Sequence, residues 1–265
     1  GAIQAQECAV YFPNANCDAL PLSVSRSVAI ALAHGLAIVL LVYSTANISG
    51  GHINPAVSIA MSVTGNLRLV VTIMYLVAQF LGGIVGAAIL GGVVPEHEWN
   101  GLGSQALGLD VSTGQGVVIE MVLTFALVLV IFSVAVTPSG YSMGKHAPLA
   151  IGFTVCVDIL MGISFTGASM NPARSLGPAI ISGKNLDELW IYMVGPFSGA
   201  IIAAVFFHFV FLRRMRKEVA NEEEEELLLS GSVNTVNEKT AFLGSDDSMK
   251  PSAFITNTDS KNHYQ

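Results

Sequence analysis

Five long apolar stretches, separated by short polar connections, dominate the hydropathy pattern of the chain. They run over about residues 22–46, 69–94, 116–137, 147–165 and 189–212. An α-helix needs about 20 apolar residues to cross the hydrocarbon core of a bilayer, and each stretch is long enough. The pattern therefore predicts an all-α membrane protein with five transmembrane helices.

Two further apolar segments are too short to cross a bilayer, and both begin in the same way. Residues 49–58 have the sequence SGGHINPAVS and residues 166–175 have TGASMNPARS, so Asn-Pro-Ala occurs in both. Asn is a favoured N-cap, and Pro is favoured at the first helical position. We expect each motif to start a half-helix inside the membrane, where irregular backbone must be buried in protein or line a water-filled cavity.

The two motifs belong to an internal repeat. Asn54 and Asn171 are separated by 171 − 54 = 117 residues. The same offset aligns two other blocks, namely 75–87 with 192–204 and 32–35 with 149–152. Each repeat unit contains an odd number of spans, so the second unit must be inverted in the bilayer. This arrangement predicts that the two half-helices meet N-terminus to N-terminus near the membrane midplane.

The repeat also predicts a span that the sequence does not contain. The segment 116–137 has its counterpart before residue 1, so we expect an N-terminally truncated chain with five of six transmembrane helices. Residues 1–21 are then an extracellular loop, residues 22–212 the transmembrane channel domain, and residues 213–265 a disordered cytoplasmic tail. The tail is rich in charged and small polar residues and lacks a core-forming pattern.

Charge is scarce and unevenly placed. Only 12% of residues are charged, whereas soluble domains carry about a quarter. Segment 22–212 holds five Lys/Arg and seven Asp/Glu, and the last 53 residues hold seven Lys/Arg and ten Asp/Glu. The net charge of −7 therefore reflects the loops and the tail, and it does not indicate a nucleic-acid-binding surface. The segments 1–21 and 94–115 contain no Lys or Arg, whereas a basic cluster follows residue 212. Because basic loops stay cytoplasmic, we expect a multi-pass plasma-membrane protein with a cytoplasmic C-terminus.

The paired motifs suggest which species can pass the predicted pore. A helix N-terminus carries about half a positive charge, so two of them facing one pore disfavour cations. The side-chain oxygen of Asn54 or Asn171 can cap its own helix, which leaves the NH2 group to donate into the lumen. A water oxygen that accepts both donors turns its hydrogens away along the channel. This orientation interrupts proton relay and favours a passive channel for water.

The chain resembles the aquaporin, or major intrinsic protein, family over residues 22–212. The residues that carry the resemblance are the two motifs, the GQGxxIE run at 114–120 and VGPFSG at 194–199. The resemblance implies a homotetramer in the lipid bilayer, with one pore per subunit and no cofactor. It assigns six residues to the pore motifs: Asn54, Pro55, Ala56, Asn171, Pro172 and Ala173.

The resemblance also implies a narrow selectivity filter made of His34, Ile159, Ala168 and Arg174. Arg174 can hold water oxygens and repel cations with its fork of donors. The other three depart from the strict water-channel pattern, because Ile159 replaces a histidine and a histidine stands at position 34. The set is similar to branches that pass ammonia or urea. We expect water, with small neutral solutes such as glycerol, urea and ammonia, to be the permeants.

Three further polar residues lie in or near the apolar segments. Glu120 corresponds to a family glutamate that accepts hydrogen bonds from loop amides, which gives it a structural role. His52 corresponds to a position that lines the cytoplasmic vestibule. Asp158 precedes the filter residue Ile159, and the sequence leaves open whether it anchors a neighbouring span or faces the outer vestibule.

Two other classes of function remain as alternatives. Inverted repeats with helix ends at the midplane also occur in ion-coupled secondary transporters. An adhesion or signalling role with a vestigial pore is compatible with the long acidic tail. The sequence contains no nucleophile triad, metal-ligand spacing or phosphate-binding loop, so we expect neither an enzyme nor a metal site.

Overall fold

The computed structural model describes residues 24–137 and 143–222, together with 225, 226 and 228. The predicted loop 1–21, with Cys8 and Cys17, and the tail beyond residue 228 lie outside the described residues. The chain divides into two units, Gly1–Lys217 and Glu218–Gln265. The predicted limits of the channel domain, 22–212, stay a prediction.

The described residues form helices without strands. In chain order they are α1 (Val24–Ser49), α2 (Pro55–Val63), α3 (Leu69–Val93), α4 (Thr113–Ile131), α5 (Ala147–Thr166), α6 (Pro172–Ser182) and α7 (Ile191–Phe207). Short π-helical turns, Phe132–Val136 and His208–Leu212, extend α4 and α7. Five helices in the described part of the chain are long and apolar enough to cross a membrane, which confirms the predicted five spans and the all-α membrane class.

The last helical run is longer than predicted. It continues from Ile191 to Glu222, whereas the sequence pattern placed the end of the span at residue 212. The added segment contains Arg, Lys and Glu, which are good helix formers although they are not apolar. The hydropathy pattern shows where the apolar stretch ends, but the helix continues beyond that point.

The packing of the helices follows the internal repeat. With an offset of 117 residues, α1 corresponds to α5, α2 to α6 and α3 to α7. Helix α3 packs on the half-helix α6, and α7 packs on the half-helix α2, while α1 packs on its own counterpart α5. This pattern is that of two similar units related by a pseudo-two-fold axis, as predicted for the inverted repeat.

The segments before the two half-helices share the same unfavourable backbone conformation, with positive φ angles at equivalent positions. Ile53 and Met170 have φ angles of 54° and 55°, and these residues are 170 − 53 = 117 apart. Gly51 at 60° corresponds to Ala168 at 48°. A positive φ is costly for a residue with a Cβ, above all for a β-branched one such as Ile53. The surrounding fold therefore imposes these turns in both units.

Candidate functional site: a cavity at two half-helix tips

Each half-helix is capped by the asparagine of its motif. The Oδ1 atom of Asn54 accepts a hydrogen bond from the N–H of Ala56 at 2.9 Å. The Oδ1 atom of Asn171 accepts from the N–H groups of Ala173 at 3.1 Å and Arg174 at 3.3 Å. Both asparagines have extended backbone angles, as N-caps do. The half-helices therefore begin where the sequence analysis expected.

The same asparagine side chains join the two tips to each other. The Nδ2 atom of Asn54 donates to the carbonyl oxygen of Met170 at 2.8 Å, and Nδ2 of Asn171 donates to the carbonyl of Ile53 at 3.1 Å. One of the two hydrogens on each NH2 group is used in this way. Only the second hydrogen of each NH2 group is left for other acceptors. The sequence had suggested that the whole NH2 group would donate into the lumen.

A cavity of about 920 Å³ lies beside the two tips. It is lined by Asn54, Asn171 and Ala173, and it extends to Tyr43 and Lys145. Pro55, Ala56 and Pro172 are buried at the helix starts and are not among its lining residues. The structure thus places three of the six predicted motif residues on the cavity, while the other three shape the helices that position them.

All four predicted filter residues line this cavity: His34, Ile159, Ala168 and Arg174. They come from α1, from α5, from the segment before α6 and from α6 itself. Nη1 of Arg174 donates to the carbonyl of Gly103 at 2.6 Å, which holds the guanidinium in place. Residues that are far apart in sequence therefore line one cavity.

The four predicted filter residues offer one donor group, one acceptor and two apolar side chains. Nδ1 of His34 lies 2.9 Å from the carbonyl oxygen of Ile30. A carbonyl only accepts, so Nδ1 carries the hydrogen and Nε2 of the neutral ring is an acceptor. Arg174 can only donate, and Ile159 and Ala168 offer no polar side-chain atom. The arrangement can orient a small polar molecule but cannot surround it with hydrogen bonds.

Glu120 supports the segment that enters α6. Its Oε1 atom accepts from the N–H of Ser169 at 2.9 Å and from the hydroxyl of Thr166 at 2.7 Å, and its Oε2 atom accepts from the N–H of Met170 at 2.8 Å. The side chain is fully buried and is not among the cavity-lining residues. A carboxylate that accepts three hydrogen bonds fixes the irregular backbone beside the filter.

His52 lies on the cavity at the start of α2. Its ring stacks on Tyr75 with centroids 4.7 Å apart, and Nδ1 lies 3.1 Å from the hydroxyl of Ser58. Nε2 of Gln79 donates to the same hydroxyl at 3.0 Å. Burial lowers the pKa of His52 below its ordinary value, which favours the neutral ring.

Asp158 is a buried acid that has an unpaired oxygen among the described residues. The residue is 3% exposed, and its Oδ2 atom has no hydrogen-bond partner in the described part of the chain. It is not among the cavity-lining residues, although its neighbour Ile159 is. Because its side chain does not line the cavity, the position between spans fits better than the outer vestibule, the other placement that the sequence leaves open.

Several cavity residues were not predicted from the sequence. Ile151 and Val155 line it together with Ile159, at a spacing of four along α5. This spacing is typical of one helix face and could have been extended from Ile159. Gln79 on α3 also lines the cavity, but an isolated polar residue in a span gives no comparable signal.

An inverted pair of half-helices around one cavity defines a class of helical membrane proteins. Within that class, the family model described as major intrinsic protein matches residues 5–207. The match covers well over half of the 265 residues, so the chain belongs to the major intrinsic protein family. This assignment confirms the family that the sequence motifs indicated.

Similar proteins include relatives from animals and plants. Human aquaporin-4 is 40% identical over 232 residues, which cover 86% of this chain and 70% of that protein. Aquaporin TIP2-3 from Arabidopsis thaliana is 44% identical over 192 residues, covering 70% and 72%. The solved aquaglyceroporin from Plasmodium falciparum has a TM-score of 0.65 at 22% identity and covers 80% and 92%, which supports the fold.

These findings fix the coarse level of function. The chain is a membrane protein of a family of passive channels for water or small solutes. Membership in that family is also consistent with the expectation that the chain is not an enzyme.

Proposed function

We propose that the chain is a passive channel for water that also admits small neutral solutes (glycerol, urea and ammonia) and excludes protons and ions. The observation that carries the proposal is the pair of crossed hydrogen bonds between the half-helix tips. These bonds bring two helix N-termini together beside one cavity. The relatives named aquaporins support water as a permeant.

Proton exclusion follows from the donors at the tips. Each of Asn54 and Asn171 keeps one N–H after its bond to the opposite backbone. A water molecule that accepts both of these hydrogens must direct its own hydrogens away from the tips. It cannot then receive a proton from one neighbour and pass another to the next. The positive ends of α2 and α6 add an electrostatic cost for any cation.

Solute range follows from the filter. Ile159 and Ala168 replace polar contact with apolar walls, which reduces the cost of passing a solute with less hydrogen-bonding capacity than water. Arg174 donates to a carbonyl or hydroxyl oxygen, and His34 accepts from an N–H or O–H. Urea, glycerol and ammonia each satisfy at least one of these two groups. A solute cation meets the guanidinium charge instead.

We further propose that the chain assembles as a homotetramer in the plasma membrane with its C-terminus in the cytoplasm. The orientation is supported by the basic cluster at 213–217 and by the absence of Lys and Arg between residues 94 and 115. Apolar side chains such as Leu40 (67% exposed) and Met74 (66%) lie on the outside of the bundle. Lipid or a neighbouring subunit would cover these side chains.

The test is osmotic swelling of proteoliposomes that contain the full-length protein, measured beside uptake of glycerol, urea and ammonia. The proposal expects rapid water flux without an ion gradient, and no proton leak. Asn54→Ala should lower water flux or admit protons, whereas the matched change Asn66→Ala, at an exposed loop residue, should do neither. Flux that requires an ion gradient would favour a coupled transporter, and no flux at all would favour an adhesion or signalling role.

A further inference from the structure

A group of basic residues lies directly after the apolar part of the last span. The apolar stretch ends at residue 212 and is followed by four exposed basic residues, Arg213, Arg214, Arg216 and Lys217. The helix does not end there, because the run that begins at Ile191 continues beyond residue 217. These four residues, called the basic cluster below, are therefore held on an extension of α7. Among the described residues, Arg213, Arg216 and Lys217 form no salt bridge.

The basic cluster occupies one face of this extension. An α-helix turns by about 100° per residue, which places the four members within an arc of about 160°. Leu212, which is 1% exposed, and Met215, which is partly buried, lie on the opposite side at a spacing of three. The extension is therefore an amphipathic helix with a basic face, a pattern typical of helices at a membrane surface.

The length of the span places the basic cluster at the level of the lipid headgroups. Residues 191–212 rise about 33 Å at 1.5 Å per residue, close to the ~30 Å of a hydrocarbon core. The guanidinium of Arg213 lies 4.4 Å from the centroid of the Phe209 ring. Phe209 is 55% exposed, so the arginine stem covers an apolar ring while its charge reaches toward water. The apolar surface of the helix thus ends where the headgroup layer begins.

The internal repeat shows that the fold does not require these charges. The offset of 117 residues relates the four positions of the basic cluster to Glu96, His97, Trp99 and Asn100, none of which is Lys or Arg. Helix α3 ends at Val93, and a short turn with two acidic residues follows it. The equivalent ends of α3 and α7 therefore differ in charge, and an interaction outside the bundle accounts for the basic residues better than packing does.

We propose that the basic cluster is a binding site for anionic phospholipids, which it holds by the phosphate groups of their headgroups. Arginine donates two parallel N–H bonds to a phosphate, and lysine adds a point charge. Each such residue near an anionic surface strengthens binding by a factor of about five. Orientation in the bilayer requires only an excess of Lys and Arg on one side, whereas the shared face and depth of these residues match a layer of headgroups. The inference does not depend on what passes the pore.

Fluorescence quenching of a tryptophan beside the cluster measures which lipid occupies the site. Val210→Trp places this reporter at an exposed apolar position, three and four residues before Arg213 and Arg214. The full-length protein is reconstituted in mixtures of phosphatidylserine and phosphatidylcholine in which one of the two lipids is brominated. Quenching of Trp99 and Trp190, measured on the protein without the reporter, is subtracted. We expect phosphatidylserine to bind beside the reporter at least about fivefold more tightly than phosphatidylcholine.

The variants assign this preference to the basic cluster. Arg213→Gln, Arg216→Gln and Lys217→Gln together should abolish it, and Lys217→Gln alone should lower it by up to about fivefold. Lys184→Gln, at an exposed position before α7, is the matched control and should leave the preference unchanged. The Debye length falls from about 10 Å at 0.1 M salt to about 3 Å at 1 M, so high salt should weaken the preference.

Three results would overturn the inference. The first is equal quenching by the two lipids, which would mean that the acidic residues after position 217 offset the cluster. The second is a preference that survives all three glutamine substitutions, or that Lys217→Gln leaves unchanged if the triple variant does not enter the membrane. The third is loss of the preference when inorganic phosphate is added at constant ionic strength, because the cluster would then bind free phosphate rather than lipid.

Discussion

A methyl group added to Gly35 would lie 2.5 Å from the carbonyl oxygen of Gly152, and one added to Gly152 would lie 2.5 Å from the carbonyl oxygen of Gly35. The two residues are 152 − 35 = 117 apart, which is the offset of the internal repeat. The contact is therefore reciprocal because the pseudo-two-fold axis passes through it. Helices α1 and α5 meet there backbone to backbone, as small residues allow in membrane proteins.

Alanine at either position should destabilise the protein. Gly35→Ala and Gly152→Ala each insert a methyl group where the opposite backbone leaves no room, and such overpacking costs about 1–3 kcal/mol. Thermal unfolding of the protein in detergent measures the effect. Gly92→Ala in α3 is the control, because a methyl group there meets nothing within 4 Å and alanine favours a helix. Equal unfolding temperatures for all three variants would contradict the contact.

Two buried acids should respond in opposite ways to loss of their charge. Glu120→Gln replaces one of the two carboxylate oxygens by an NH2 group. The backbone N–H that donates to that oxygen, of Ser169 or of Met170, then loses its acceptor. An unmade bond at a buried donor costs about 1–3 kcal/mol. We expect a lower unfolding temperature and, because the segment beside Ala168 loosens, a change in solute permeability.

Asp158→Asn is the matched variant for that prediction. No described group donates to Oδ2 of Asp158, so the substitution removes a buried acid and breaks no described bond at that atom. Unfolding temperature should stay the same or rise, since an unpaired buried charge is costly. A loss of stability as large as that of Glu120→Gln would mean that Asp158 has a partner outside the described residues.

The sequence predicted those features that depend on local signals. Long apolar runs gave the five spans, and Asn followed by Pro marked both half-helix starts. The crossed bonds of Asn54 and Asn171 could not be predicted, because they depend on positive φ angles at Ile53 and Met170 that no propensity favours. Tertiary packing imposes such turns, and a pattern of residue types does not record them.

The lining of the cavity was predictable in part. The positions of His34, Ile159, Ala168 and Arg174 followed from counting along a family pattern, and the structure places all four on one cavity. Gln105 lies in the irregular connection between α3 and α4, which counting from the motifs does not reach. Its place beside Gly167 depends on how the connection folds over the end of α5. Residues of this kind need coordinates.

Histidine at position 159 should narrow the range of solutes. Ile159→His adds a polar group to the cavity that Arg174 also lines and removes an apolar side chain, so water keeps its hydrogen bonds and larger solutes lose space. We expect glycerol and urea permeability to fall while water permeability persists. Parallel measurements on liposomes with the two proteins at matched density check this result. Unchanged solute flux would show that Ile159 does not line the narrowest part of the pathway.

A thiol at position 168 should make the channel sensitive to mercurials. Ala168 lines the cavity, so a mercury adduct on Ala168→Cys would obstruct the pathway. The thiolate is the reacting form. Cys156 is buried and is not among the lining residues. Water flux through the unmodified protein should therefore resist low mercurial concentrations, and flux through Ala168→Cys should be blocked and recover with a reducing thiol. Cys8→Ser and Cys17→Ser in the background remove the other two thiols. Rapid block of a protein that also carries Cys156→Ser and retains Ala168 would contradict the placement of this residue.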